Sequence, residues 1–193
     1  MPGWISVPNA FTAARIVLAP VFLWRYVVGD EDGALIAFAA AALTDGLDGL
    51  MARLLAQQTQ LGAFLDAAAD KLLMACALVA LAVQDQVPWW LAGIVVGRDA
   101  LLALGSVFLA FRRAPIPVRP TRVGKYAMAL VAFIVVVVLV ADHHDAPASR
   151  TGPWIVALGV VASALVAWSA VQYASSFVAS ARLVRRAHDA TGR

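Results

Sequence analysis

Six apolar stretches, each long enough to cross a lipid bilayer, constrain this chain more than any other feature. They run approximately over 11–28, 34–55, 61–83, 89–111, 126–141 and 154–178. A bilayer-spanning helix needs about 20 mostly apolar residues. Lipid offers a peptide group no hydrogen-bonding partner, so helices are the default conformation for such segments. The joints carry turn or helix-breaking chemistry: Gly29-Asp30-Glu31-Asp32-Gly33, Gln57-Gln58-Thr59, Gln84 to Pro88, the Pro115/Pro117/Pro120 segment, and Asp142 to Pro153. The expected fold is an all-α integral membrane protein of six transmembrane helices, forming a single domain over residues 1–193.

Composition supports this reading. The chain is 62% hydrophobic and 14% charged, with a mean hydropathy of +0.81. A soluble domain holds about a quarter charged residues, so the apolar excess must face lipid. The single thiol, Cys76, excludes an intrachain disulfide; in its apolar run it is expected to pack as a small hydrophobe. The first apolar stretch carries Arg15 and Arg25 and lacks a clear small-residue cleavage site, so it is expected to be a retained helix rather than a signal peptide.

Charge placement sets the orientation. With a cytoplasmic N-terminus, the inner loops hold Arg53, Arg112, Arg113, Arg119, Arg122 and Lys125, and the tail holds Arg182, Arg185, Arg186 and Arg193. The outer loops hold Arg150 together with Asp30, Glu31, Asp32, Asp85, Asp142 and Asp145. This bias follows the positive-inside rule and puts both termini in the cytoplasm of a multi-pass cell-membrane protein. Arg112 and Arg113 are thereby assigned to topology and anionic lipid, and no nucleic-acid partner is expected. Trp89, Trp90 and Trp154 fall at outer helix ends, as interfacial anchors do.

Four aspartates interrupt this apolar background. They stand as Asp45-x-x-Asp48-Gly49-x-x-Ala52-Arg53, then Gly62-x-x-x-Asp66-x-x-x-Asp70. Carboxylates are costly at bilayer depth and mark functional sites by default. Asp45 and Asp48 share one helix face, as do Gly62, Asp66 and Asp70. The short connection from Ala56 to Gln60 makes the two helices antiparallel neighbours, so the stripes are expected to face each other across a cleft in the cytoplasmic half. Hard divalent cations take oxygen ligands and often keep positions for substrate phosphate. Two carboxylates per helix suit a two-metal site for phosphate displacement, with Mg²⁺ or Mn²⁺. Gly49 and Ala52 leave room for a ligand, and Arg53 is suited to grip a phosphate. Arg53, Lys71 and Arg98 are too few to neutralise four acids internally. Arg98 lies within an apolar stretch, and Asp99 beside it points elsewhere on a helix, so it is not an automatic partner.

The run resembles, position for position, the D-x2-D-G-x2-A-R-x8-G-x3-D-x3-D signature of the CDP-alcohol phosphatidyltransferases. Pro8-Asn9 with Thr12, Arg15 and Ile16 resembles the P-N-x-x-T-x-x-R-I opening of that family, Ala69-Asp70-Lys71 its A-D-K ending, and Arg98-Asp99 its R-D element. The resemblance implies a six-helix enzyme with two divalent ions, moving a phosphatidyl group from CDP-diacylglycerol to an alcohol acceptor and releasing CMP. It implies Asp45, Asp48, Asp66 and Asp70 as metal ligands, with Asp70 also the catalytic base. Asn9, Thr12, Gly49, Ala52, Arg53, Thr59 and Gly62 would surround the CDP moiety. A basic border of Lys71, Arg98, Arg119, Arg122 and Lys125 would meet an anionic acceptor on the cytoplasmic side. The opening motif, the Gly97–Leu102 segment and the proline-rich loop ending in Gly124-Lys125 are most similar to cardiolipin synthases of the eukaryotic type, then to phosphatidylglycerophosphate synthases. The acceptors would be phosphatidylglycerol and glycerol 3-phosphate respectively, with another polar alcohol such as inositol phosphate as an alternative; family likeness also implies a possible homodimer. An intramembrane prenyltransferase or a cation transporter using the same carboxylates are the competing classes. Asp142-His143-His144-Asp145 looks like a zinc cluster, but four adjacent residues cannot all face one ion. The Val135–Val140 run is expected to be lipid-facing helix rather than strand.

Overall fold

The computed structural model describes the backbone of residues 7–55, 60–111, 121–143 and 152–191, and side chains over 10–44, 62, 65–107, 121–142 and 152–175. The described backbone is all-helical: α1 (Val7–Val27), α2 (Glu31–Leu55), α3 (Gln60–Val83), α4 (Trp89–Phe111), α5 (Arg122–His143) and α6 (Pro153–Thr191). The helices match the six apolar stretches, and they run past them where polar ends remain helical. α5 begins at Arg122 and ends at His143, and α6 continues to Thr191, because hydropathy marks what lipid covers rather than where a helix stops. Among the described residues four helices are long and apolar enough to cross a membrane: α1, α4, α5 and α6. This is a multi-pass membrane protein.

The chain divides into two compact units, one of Met1–Ala92 with Val135–Pro153 and one of Gly93–Ile134 with Trp154–Arg193. In the first unit α1 packs against both α2 and α3, which meet each other along a much narrower contact. The buried face of α1 comprises Thr12, Arg15, Ala19, Phe22 and Tyr26, at alternating steps of three and four residues. Phe22 stacks with Tyr26 and meets Phe38 of α2 at 5.5 Å between ring centres. Ala34, Ala37 and Ala41 line the facing stripe of α2, small enough to let the helix backbones approach. Cys76 is buried on α3, as expected of a packing residue.

One end of this unit is tied by polar contacts. Asp142, in the last turn of α5, accepts hydrogen bonds from Tyr26 Oη at 2.6 Å and Gln86 Nε2 at 2.7 Å. Asp142 is therefore occupied in joining α5 to α1 and to the turn before α4. The rest of the Asp142–Asp145 run lies outside the described side chains. The Val135–Val140 run is helical, but only half of it faces outward: Val135, Val138 and Leu139 are buried, whereas Val136 and Val140 are exposed. The expectation of a wholly lipid-facing run is corrected, because a helix turns a continuous β-branched run through every direction. Trp89 and Trp90 are exposed, consistent with anchoring rather than core packing.

The α1–α2 turn shows how local chemistry ends one helix and starts the next. Gly29 takes φ 85°, a conformation that L side chains resist. Asp30 then caps α2: its Oδ1 accepts from Gly33 N at 2.9 Å, and Oδ2 accepts from Arg25 Nη1 at 2.5 Å. The Gly33 amide, then Arg25, hold the Asp30 carboxyl below its usual range, against a smaller opposing effect of desolvation. A carboxyl whose folded-state pKa is depressed adds stability above its unfolded pKa and loses it as pH falls through the folded value. Asp30→Ala is therefore expected to lower the melting temperature in detergent at neutral pH, and the gap from the parent should close on acidification below the carboxylate range. A pH-independent gap would mean that the side-chain charge plays no part.

Candidate active site

The site is built from α1 and α3 in the first unit. Asp66 and Asp70 lie one turn apart on one face of α3, Asp66 half-exposed and Asp70 exposed. The α1 helix supplies Arg15, which is fully buried and donates from Nη1 to Asp66 Oδ1 at 2.8 Å; the Asp66 side chain is 44% exposed. Thr12, one turn before Arg15, is also buried. A buried guanidinium needs a carboxylate or equivalent acceptors to offset its lost hydration. This pair therefore fixes one oxygen of Asp66 and leaves Oδ2 outside the bond. The expected neighbours of the acids were Arg53, Lys71 and Arg98; Arg15 was not among them. The signal that could have found it is an ionisable residue inside the first apolar stretch.

The other expected residues divide by where they lie. Gly62 and Lys71 are on α3 and partly buried. Asp45, Asp48, Gly49, Ala52 and Arg53 lie on the α2 backbone, and Asn9 on α1, but their side chains fall outside the described residues, as do Thr59 and Arg119 entirely. Among the described residues no three His, Cys, Asp or Glu side chains converge as a metal cluster.

The remaining basic residues belong to the second unit. Arg98 of α4 bonds Asp99 at 2.5 Å through Nη1 and Ser169 Oγ of α6 at 3.0 Å through Nη2. Its guanidinium carbon also lies 5.5 Å from the Tyr173 ring centre. Asp99, which its position on the helix left open as a partner, is thus bonded to Arg98. Their Cα–Cβ directions diverge, but a long arginine chain bends back far enough to reach its neighbour. Near this cluster Gly124 of α5 permits close approach, since a Cβ there would stand 2.8 Å from Ser169 Oγ and 3.3 Å from Arg98 Nη2. Arg122 and Lys125, at the start of α5, are exposed.

An all-helical membrane protein with acidic residues one turn apart on an otherwise apolar helix, held by a buried arginine, is arranged for chemistry on a charged group rather than for packing alone. The match to known proteins specifies that chemistry. Residues 5–184 match the family model of CDP-alcohol phosphatidyltransferase, and the chain belongs to this family of enzymes. It is 34% identical over 185 residues to a CDP-diacylglycerol–glycerol-3-phosphate 3-phosphatidyltransferase of Pseudomonas fluorescens, covering 88% of each chain. It is 42% identical over 106 residues to a probable cardiolipin synthase (CMP-forming) of Drosophila melanogaster, covering 54% of this chain and 33% of the fly protein. The cardiolipin synthase (CMP-forming) of Homo sapiens is 38% identical over 113 residues, covering 58% of this chain and 38% of the human protein. The chain thus spans well under half the length of these two cardiolipin synthases.

Proposed function

We propose that this enzyme transfers the phosphatidyl group of CDP-diacylglycerol to phosphatidylglycerol, forming cardiolipin and releasing CMP. The single observation that carries the phosphatidyl-transfer reading is the family match over 5–184. The match over 88% of the Pseudomonas enzyme favours a second reading, with glycerol 3-phosphate as acceptor. Six membrane-crossing helices, cytoplasmic termini, a site open to the cytoplasm and a homodimer complete the proposal.

The donor set fits hard divalent cations. Asp66 keeps Oδ2 outside its bond to Arg15, and Asp70 is exposed one turn away on the same face of α3, both of them oxygen donors of the kind such cations take. Asp45 and Asp48 would complete the set from α2. Bound Mg²⁺ or Mn²⁺ would neutralise the donor's diphosphate and stabilise the leaving CMP. Arg15 would orient Asp66 by holding one of its carboxylate oxygens. Asp70 would take the proton of the acceptor hydroxyl as its oxygen attacks the phosphorus bearing the diacylglycerol, while the bond from that phosphorus to CMP breaks. Thr12, Asn9, Gly49, Ala52, Arg53, Thr59 and Gly62 would border the nucleotide, and Lys71, Arg98, Arg119, Arg122 and Lys125 the acceptor.

Incubating the purified protein with CDP-diacylglycerol, Mg²⁺ and a panel of alcohols, with the lipid product identified by mass, tests the proposal. Cardiolipin is the expected product. Phosphatidylglycerophosphate would establish the second reading, and ion flux in proteoliposomes without CMP release would replace both with transport.

A further inference from the structure

The second unit contains an open groove of about 770 Å³ along α4 and α6. This volume lies within the ~300–1,000 Å³ typical of ligand pockets. Gly93, Gly97 and Gly105 form its α4 side with Leu101, and Val166 and Ala170 lie on the α6 wall. A Cβ at Gly93 or Gly97 would meet nothing within 4 Å, so the missing side chains leave open space rather than serve helix contact. At ~1.5 Å per residue the groove extends about 8 Å from Arg98 to Gly93 and about 11 Å from Arg98 to Gly105.

Arg98 is the charged residue in this apolar lining. Its side chain is 10% exposed, with Nη1 taken by Asp99 and Nη2 by Ser169. Nε is buried without a hydrogen-bond partner among the described residues. A buried donor of this kind costs free energy until an acceptor reaches it. A second copy docking through this same face would bring exposed Leu101, Leu104 and Val171, none of which has a side-chain acceptor. A phosphodiester brings acceptor oxygens and negative charge, and an acyl chain fills the apolar length.

We propose that this groove holds one acyl chain of an anionic phospholipid acceptor, with its phosphodiester beside the Arg98 guanidinium. The inference rests on the phosphatidyl-transfer reading and narrows its acceptor to a membrane lipid. A water-soluble glycerol phosphate has no tail to occupy such a groove.

Gly97→Phe tests it, since the ring enters the groove without meeting backbone. Two measurements are made on the full-length protein: CMP release with phosphatidylglycerol, and photolabelling by phosphatidylglycerol carrying a diazirine in one tail. The KM for phosphatidylglycerol is expected to rise about 10-fold while that for CDP-diacylglycerol stays within about twofold, as for a pocket contact made by one substrate only. Label on α4 and α6 should fall in parallel. Unchanged acceptor KM and labelling, or an equal rise in both KM values, would overturn the proposal. If the parent forms no CMP with any alcohol, phosphatidyl transfer itself fails, and labelling decides the groove alone. Label on α4 and α6 that Gly97→Phe removes would sustain a lipid site there; label confined to other helices would end it.

Discussion

Asp66→Asn is expected to cut CMP release about 1,000-fold, since ~4 kcal/mol of lost electrostatic stabilisation at a phosphate-transfer site converts to about three decades in rate. The fold should survive. An asparagine oxygen can still accept from Arg15 at the position of Oδ1, so the contact between α1 and α3 keeps its geometry. The charge that would hold a cation is lost. The two effects separate experimentally through steady-state CMP release and through the melting temperature with and without Mg²⁺. The parent should be stabilised by Mg²⁺ and the variant much less so. Near-parental turnover at limiting Mg²⁺ would remove Asp66 from the metal site and leave it as a packing partner of Arg15.

Asp66→Ala should behave differently, and its comparison with Arg15→Met carries the second large effect. Arg15 is fully buried, whereas the Asp66 side chain is 44% exposed. Removing the aspartate takes this carboxylate from a guanidinium that water does not reach, so Asp66→Ala should be the more destabilising of the two single variants. Removing the arginine leaves a carboxylate that water still reaches, and methionine fills much of the vacated volume. Arg15→Met should therefore cost no more than about 1 kcal/mol, the scale of a solvent-screened pair. The double variant should recover most of the stability lost in Asp66→Ala, because the costly buried charge is gone. Denaturation in detergent measures all three. Equal losses in the two single variants, or no recovery in the double, would mean that the ion pair does not set the stability of this contact. Activity should fall in Arg15→Met despite its stability, since Asp66 loses the partner that orients it.

The legible parts of this protein share a physical origin in short-range periodicity. Apolar runs of bilayer length placed five helices within four residues at each end, and the start of α6, because lipid leaves the backbone no alternative. Asp66 and Asp70 could be put on one face of α3 from their spacing alone. Element ends were less legible. Nothing in hydropathy says that α5 should begin at Arg122 or that α6 should continue to Thr191. Side-chain pairing was less legible still. Asp142 looked like part of a metal cluster in sequence, and in the fold it is held by Tyr26 and Gln86, which lie 116 and 56 residues away in the chain.

The order of residues by itself determined a helical membrane protein with carboxylates at regular helical intervals, since both follow from spacing along one helix and from the polarity of its surroundings. Only the tertiary structure decided that Arg15, 51 residues away, holds Asp66, and that Arg98 turns to Asp99, Ser169 and Tyr173 beside an apolar groove. Such contacts depend on which helices meet and on which rotamer a long side chain adopts there. Neither is written in the local pattern of the chain.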